Sequence, residues 1–275
     1  MACRVLGVSR SGYYGWLART TSPPTGRAAA DLLLLAEIRQ VHTRFGYYGS
    51  PRIRHELRAR DHQVGRRRVA RLMRLHGIRA CRGKIKSRPR AAPPARRPEI
   101  IDLVGRDFGA DVPDALWFTD VTQIRTGQGW LYAAVILDAF NREVISWATA
   151  GQESPKTALQ ALSEAIRIRR PEPGCIIHSD RGYQFTAGAW RHTAAAAGLK
   201  LSIGQRKSCY DNAAMESWFA SLKNEAIYPH GQPTTRADAR TKLFRYIWDY
   251  NNHRLHSTLG YVSPKTYAES SSICP

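Results

Sequence analysis

The stretch LWFTDVTQIRTGQGWLYAAVILDAFNREVISWATA, residues 116–150, decides the fold. Three runs rich in β-branched and aromatic residues (116–125, 130–137 and 143–150) are separated by short breaks. Gly127 and Gly129 mark the first break and residues 139–142 the second, so the stretch predicts an antiparallel three-stranded meander. Inside the first run Asp120 stands among Trp117, Phe118 and Val121. An acid in an apolar strand is costly to bury unless it is paired or bound to a metal.

Downstream, the period changes. Pro155 starts a helix through Arg169, with Ala158, Leu162, Ala165 and Ile166 as its inner face. Residues 175–178 form a short strand ending in Ser179 and Asp180. Thr186 is expected to cap an alanine-rich helix that reaches Ala197 and stops at Gly198, and residues 200–203 give another strand. Then comes QRKSCYDNAAMESWFASLKNEA, residues 205–226, a basic loop feeding one amphipathic helix. Asp211 is expected to cap it, with Trp218, Leu222 and Ala226 as the buried stripe. Glu216 and Lys223 are seven apart and share a face. A last helix over 236–251 precedes the tail YNNHRLHSTLGYVSPKTY. The order β-β-β-α-β-α-β-α reads as an α/β fold, a mixed sheet with helices on its faces.

Upstream, charge dominates. The chain of 275 residues carries a formal net charge of +20, very unevenly placed. Residues 1–98 hold 23 Lys and Arg against 4 Asp and Glu, whereas residues 99–275 hold 19 against 18. A strongly basic front points to nucleic acid, because neutralised phosphates release condensed counterions. Residues 1–26 read as a helical remnant and linker, and residues 82–110 as a basic, Pro-rich linker. Between them, residues 27–81 predict three helices: one from Asp31 (as cap) to Phe45 with Leu32, Leu35 and Ile38 on one side, a second from the cap Ser50 and Pro51, and a third opened by Gly65 and ended by Gly77. Ile53 and Leu57 line the second, and Val69, Leu72 and Met73 the third. The arrangement is helix-turn-helix-like, and equally suits a basic module that grips only the backbone. Residues 111–268 hold the rest of the fold. Five scattered cysteines without a C-x-x-C pair fit a reducing cytosol, and no apolar run is long enough to span a bilayer.

The chemistry rests on acids. Asp120 lies in a strand, Asp180 at the C-terminal end of another, and Glu216 on a helix, with 35 residues between the last two. Three converging carboxylates suit Mg²⁺ or Mn²⁺, and two such ions about 4 Å apart can serve an in-line phosphoryl displacement. Rival acids read otherwise. Asp138 ends a strand as a turn residue, and Asp211 is rotated about 140° from Glu216 on a helix of 3.6 residues per turn. His178 reads as structural, and the H-x-x-H pair of His253 and His256 lacks the neighbours a zinc site needs.

The motifs WFTDVT, HSDRGYQF, DNAAMESWFASLKNE and YNNHRLHSTLGYVSP closely resemble those of the insertion-sequence-three family of transposases, in their second-frame (OrfB) product. The resemblance covers nearly the whole chain, including the basic module at 31–80. It implies a ribonuclease-H-like, retroviral-integrase catalytic core in which Asp120, Asp180 and Glu216 form a DDE triad binding divalent metal. It also implies cleavage that exposes a 3′ hydroxyl, then attack of that hydroxyl on another phosphodiester of double-stranded DNA. Lys223 falls where that family carries a basic residue near DNA. One departure concerns the upstream-frame (OrfA) part, which in this family brings a helix-turn-helix and a leucine zipper by frameshift fusion; no sustained heptad pattern occurs here.

Further candidates for DNA contact are Arg66, Arg67, Arg68, Arg71 and Arg74 on the third helix, Arg206 and Lys207 beside the triad, and Tyr183 and Gln184 just after Asp180. The tail motif at 250–264 reads as binding either DNA or a second subunit. The expected protein is a cytoplasmic, nucleoid-associated bacterial enzyme, homo-oligomeric, with an OrfA partner or fusion and no membrane contact. Two other readings stand beside it: a nuclease that cuts without joining, and an inactive DNA-binding relic or repressor.

Overall fold

The computed structural model describes residues 2–21, 25–81, 101–105, 107–204, 212–229 and 231–271. The chain divides into two compact units, Met1–Ala80 and Cys81–Pro275.

The first unit contains α1 (Ala2–Val5), α2 (Arg10–Thr21), α3 (Gly26–Arg44), α4 (Ser50–Arg58) and α5 (Arg66–Leu75). Leu35, Ile38 and Val41 of α3 are buried with Ile53 and Leu57 of α4 and with Val69, Leu72 and Met73 of α5. Phe45 and Tyr48 stack at 4.6 Å between α3 and α4. Two expected caps are corrected. The alanines ahead of Asp31 are strong helix formers, so α3 starts at Gly26 and Asp31 sits inside it. Its carboxylate instead receives Arg68 Nε at 2.7 Å and Arg71 Nη2. Ser50 is already helical and Gly49 precedes it, with Pro51 at the start as expected. Leu32 is not on the buried side: it is half exposed, and Leu34 takes its place in the core.

In the second unit the sheet follows the β-rich runs of the sequence. Its strands are β1 (Leu116–Thr126), β2 (Gly129–Asp138), β3 (Val144–Ala150), β4 (Ile176–Ser179) and β5 (Lys200–Ile203), in the spatial order β3-β2-β1-β4-β5. The meander is antiparallel, pairing Thr126 with Gly129 at the first turn, whereas β1–β4 and β4–β5 are parallel. Neighbouring residues of β1 serve opposite faces. Trp117 joins the cluster under α6 (Pro155–Arg169) and α8 (Gly188–Ala196), which includes Ala158, Leu162 and Trp190. Phe118 joins the cluster under α9 (Ala213–Leu222) and α10 (Arg236–Asn252), which includes Trp218, Leu222, Leu243 and Tyr246. Because both faces are covered, β1 and β2 read as nearly continuous apolar runs.

Three local expectations change. Thr186 ends a one-turn helix, α7 (Tyr183–Thr186), its hydroxyl donating to Tyr183 O at 3.1 Å, and Ala187 precedes α8. Ile166 is only partly buried. Regular α-helix ends at Leu222, and Lys223–Ile227 form a π-helical turn closed by Tyr228 N donating to Lys223 O at 3.0 Å, so Ala226 lies in that turn. The tail holds a 3₁₀ turn, Ser257–Leu259, and α11 (Pro264–Ser271). Asp211, Arg206 and Lys207 lie outside the described residues.

Candidate active site

Asp120 lies on β1 two residues beyond Phe118, and therefore on the face that α9 covers. Its Oδ1 accepts the backbone N–H of Val121 at 2.7 Å. One strand over, β4 runs parallel and delivers Asp180 just past its C-terminal end. Oδ1 of Asp180 accepts the backbone N–H of Gly182 at 2.8 Å. No described residue hydrogen-bonds the second oxygen of either carboxylate. Glu216 is in the first turn of α9, and Lys223 opens the π turn at its end. The start of α9 is tied to the strand itself, because Asn212 Nδ2 donates to Thr119 O at 3.2 Å.

The electrostatics tie these groups together. Burial, then the charge of Asp180, push the Asp120 carboxyl well above the usual carboxylate range; Glu216 adds to the rise, and the Val121 amide and Lys223 oppose it. Burial also raises Asp180, against the Gly182 amide and His178. Glu216 is raised by its partial burial. Lys223 is lowered by burial and held up by Asp120. By surface area Asp120 is half-buried while Asp180 and Glu216 face solvent, so the carboxyl ends lie at the rim of the site rather than sealed inside. Among the described residues no three Asp, Glu, His or Cys side chains are drawn close enough to enclose an ion.

The remaining expected residues sort clearly. Tyr183 is exposed beside Asp180, and Gln184 lies back against Gly182. In the first unit Arg66, Arg67 and Arg74 are exposed, whereas Arg68 and Arg71 are held by Asp31. Asp138 is fully buried and accepts the amides of Phe140 at 2.9 Å and Asp114 at 3.1 Å, as a turn aspartate does. Burial lifts its carboxyl to about 6. His178 is a core residue, with Nδ1 at 2.8 Å from Ser202 Oγ. His253 packs on Trp248 at 4.9 Å and His256 on Tyr250 at 4.6 Å. The sequence reading missed Asn212, whose position beside Asp211 hinted at a role, and Glu225 with Arg254. No local pattern signals that last pair, 29 residues apart.

Family models describe residues 29–85 as an HTH-like domain and residues 110–209 and 197–264 as integrase core domain. The insertion element IS600 uncharacterized 31 kDa protein of Shigella sonnei is 37% identical over 269 residues, covering 97% of both chains. Transposase InsF for insertion sequence IS3A of Escherichia coli (strain K12) is 36% identical over 274 residues, covering 96% of this chain and 92% of the relative. Among solved structures, the simian T-cell lymphotropic virus intasome in complex with PP2A regulatory subunit B56 gamma matches with a TM-score of 0.51 at 15% identity, covering 86% of this chain and 76% of the other. That likeness fixes the fold as that of a retroviral integrase. With sequence identity spanning almost its whole length, this chain belongs to the IS3 family of insertion-sequence transposases, polynucleotidyl transferases built on an integrase core.

Proposed function

We propose that the chain cuts the 3′ ends of its insertion sequence and transfers them to target DNA, with Asp120, Asp180 and Glu216 as the catalytic carboxylates. The supporting observation is placement: Asp120 on β1 and Asp180 at the end of the parallel neighbour β4, with the Glu216 helix tied to β1 through Asn212, and Asp180, Glu216 and Lys223 all acting on the Asp120 carboxyl. The structural acid Asp138 has both oxygens taken by backbone amides, whereas Asp120 and Asp180 each rest on one backbone amide and keep an oxygen for something else. Oxygen donors with excess negative charge fit a hard divalent cation, Mg²⁺ or Mn²⁺. Bound between these residues, two such ions would activate the attacking oxygen and stabilise the leaving one.

The chain's own residues supply position. The Val121 and Gly182 amides fix the orientation of the two aspartates, and Asn212 holds the Glu216 helix against β1. The Lys223 ammonium offsets negative charge where a phosphodiester must approach. In the first step water adds to phosphorus and the 3′ oxygen leaves as a hydroxyl. In the second, that hydroxyl attacks a target phosphodiester and one P–O bond replaces another.

Residues 27–81 act as the DNA-binding module, linked through 82–110 to a catalytic core over 111–268, with 1–26 as a joint. Arg66, Arg67 and Arg74 contact phosphates there; Arg68 and Arg71 mainly brace the helix. Tyr183, Gln184, Arg206, Lys207 and Lys223 contact DNA near the carboxylates. The enzyme works at the nucleoid as a homo-oligomer, with an OrfA partner or fusion to recognise element ends. The test is a labelled duplex carrying the terminal repeats, incubated with Mg²⁺ or Mn²⁺ and wild type or Glu216→Gln. Metal-dependent cut and joined products lost in the variant uphold the proposal. Cutting that survives the substitution removes Glu216 from its role, and cutting without joining makes the chain a nuclease.

A further inference from the structure

Part of the tail motif is buried. Arg254 is 5% exposed and His256 8%. Arg254 forks onto one carboxylate, with Nε at 2.7 Å from Glu225 Oε2 and Nη2 at 2.6 Å from Oε1. Tyr246 Oη donates to the same Oε2 at 2.9 Å, and Arg254 Nη1 donates to His256 Nε2 at 3.4 Å. Aromatic rings continue the block: Trp218 of α9 meets Tyr246 at 6.0 Å and Tyr250 at 5.8 Å, and Tyr250 meets His256. The tail folds back on itself through His256 N donating to Val262 O at 3.0 Å and Tyr261 N donating to His256 O at 2.7 Å.

Glu225 is the middle residue of the π turn that Lys223 begins, and that turn continues the helix carrying Glu216. The α-helical rotation from Glu216 to Leu222, continued by the wider π turn, brings Glu225 to a different side of the helix from Glu216. The ion pair therefore grips the helix from a side other than the one that carries the acid and the lysine. A π turn is rare and needs support from outside the helix. A buried ion pair adds little net stability over apolar packing, but its forked geometry allows one arrangement only. We infer that Arg254 and Glu225 are positioning residues: their ion pair locks the turn at Lys223 and thereby sets Glu216 and Lys223 towards Asp120. This rests on the reading of Asp120, Asp180 and Glu216 as the catalytic carboxylates.

The test uses the full chain with Glu225→Gln and Arg254→Lys, which keep side-chain volume and some of the hydrogen bonds. The comparator is Leu162→Ala, a core change on the opposite face of the sheet. Three quantities are read: hydrogen exchange over residues 213–228, DNA affinity, and turnover at saturating DNA per folded molecule. Both ion-pair variants are expected to exchange faster at 213–228, to bind DNA as wild type does, and to lose about 100-fold in turnover. Adding Lys223→Ala to Glu225→Gln should cost little more, because the two act through one geometry. Leu162→Ala should keep its turnover. The inference is overturned if turnover follows only the folded fraction, or if the Lys223→Ala effect is fully additive. Asp120→Asn runs alongside: if it still cuts, the carboxylate reading fails, and the exchange at 213–228 alone then decides whether the ion pair locks the turn.

Discussion

The backbone amide of Gly182 donates to Oδ1 of Asp180 at 2.8 Å, and a side chain at this glycine would crowd that same carboxylate. A Cβ there would stand 2.8 Å from that same oxygen and 2.4 Å from Gln184 Nε2. The backbone at Gly182 is ordinary, with φ of −58°, so substitution strains contacts and not the chain. Gly182→Ala should therefore leave the melting temperature nearly unchanged while displacing the Asp180 carboxylate. Misplacement of a reacting group by about 1 Å can cost about 100-fold, so strand cleavage should fall by roughly 10- to 100-fold. Gly182→Ala with Gln184→Ala relieves one contact and should recover only part of the loss.

Asp138 offers a pH signature. Its carboxyl is raised from 3.8 to about 6 by burial, against the amides of Phe140 and Asp114. Between those values the folded chain holds a proton that the unfolded chain has released, so wild-type stability falls as pH rises through that window. The contribution is at most about 3 kcal/mol. Thermal melts from pH 4 to 7 should show this slope in wild type and a flatter profile in Asp138→Asn.

The arginines of α5 should separate into two classes. Arg67→Ala and Arg74→Ala remove exposed cations and should weaken DNA binding, each lowering the slope of log affinity against log salt by about one. Arg71→Ala removes a partner of Asp31 and should chiefly lower the melting temperature of the first unit. Fluorescence anisotropy on a labelled duplex at several salt concentrations, beside calorimetry, reads both.

The sheet was legible because its signals are local. The β-rich run around Trp117 and Phe118, the glycines at 127 and 129, and Pro155 each determine structure within a few residues. Asp120 announced itself as an acid among apolar neighbours, and Asp180 by its place at a strand end. Where tertiary contacts competed with local preference, the sequence reading failed. Asp31 looked like a cap but is claimed by Arg68 and Arg71 from another helix. Thr186 spends its hydroxyl on the preceding turn. The π turn at Lys223 and the Arg254–Glu225 pair depend on a tail that returns from 29 residues away, which no local periodicity encodes.

The central claim is that Asp120, Asp180 and Glu216 form one divalent-cation site, and thermal melting with and without Mn²⁺ tests it most directly. Without metal, Asp120→Asn should melt above wild type, because it removes a charge that burial and Asp180 both disfavour. On addition of Mn²⁺ wild type should gain stability, by about 2.7 kcal/mol at one hundred times the dissociation constant. Asp120→Asn, Asp180→Asn and Glu216→Gln should gain much less. An equal gain in wild type and all three variants would place the cation elsewhere and contradict the account.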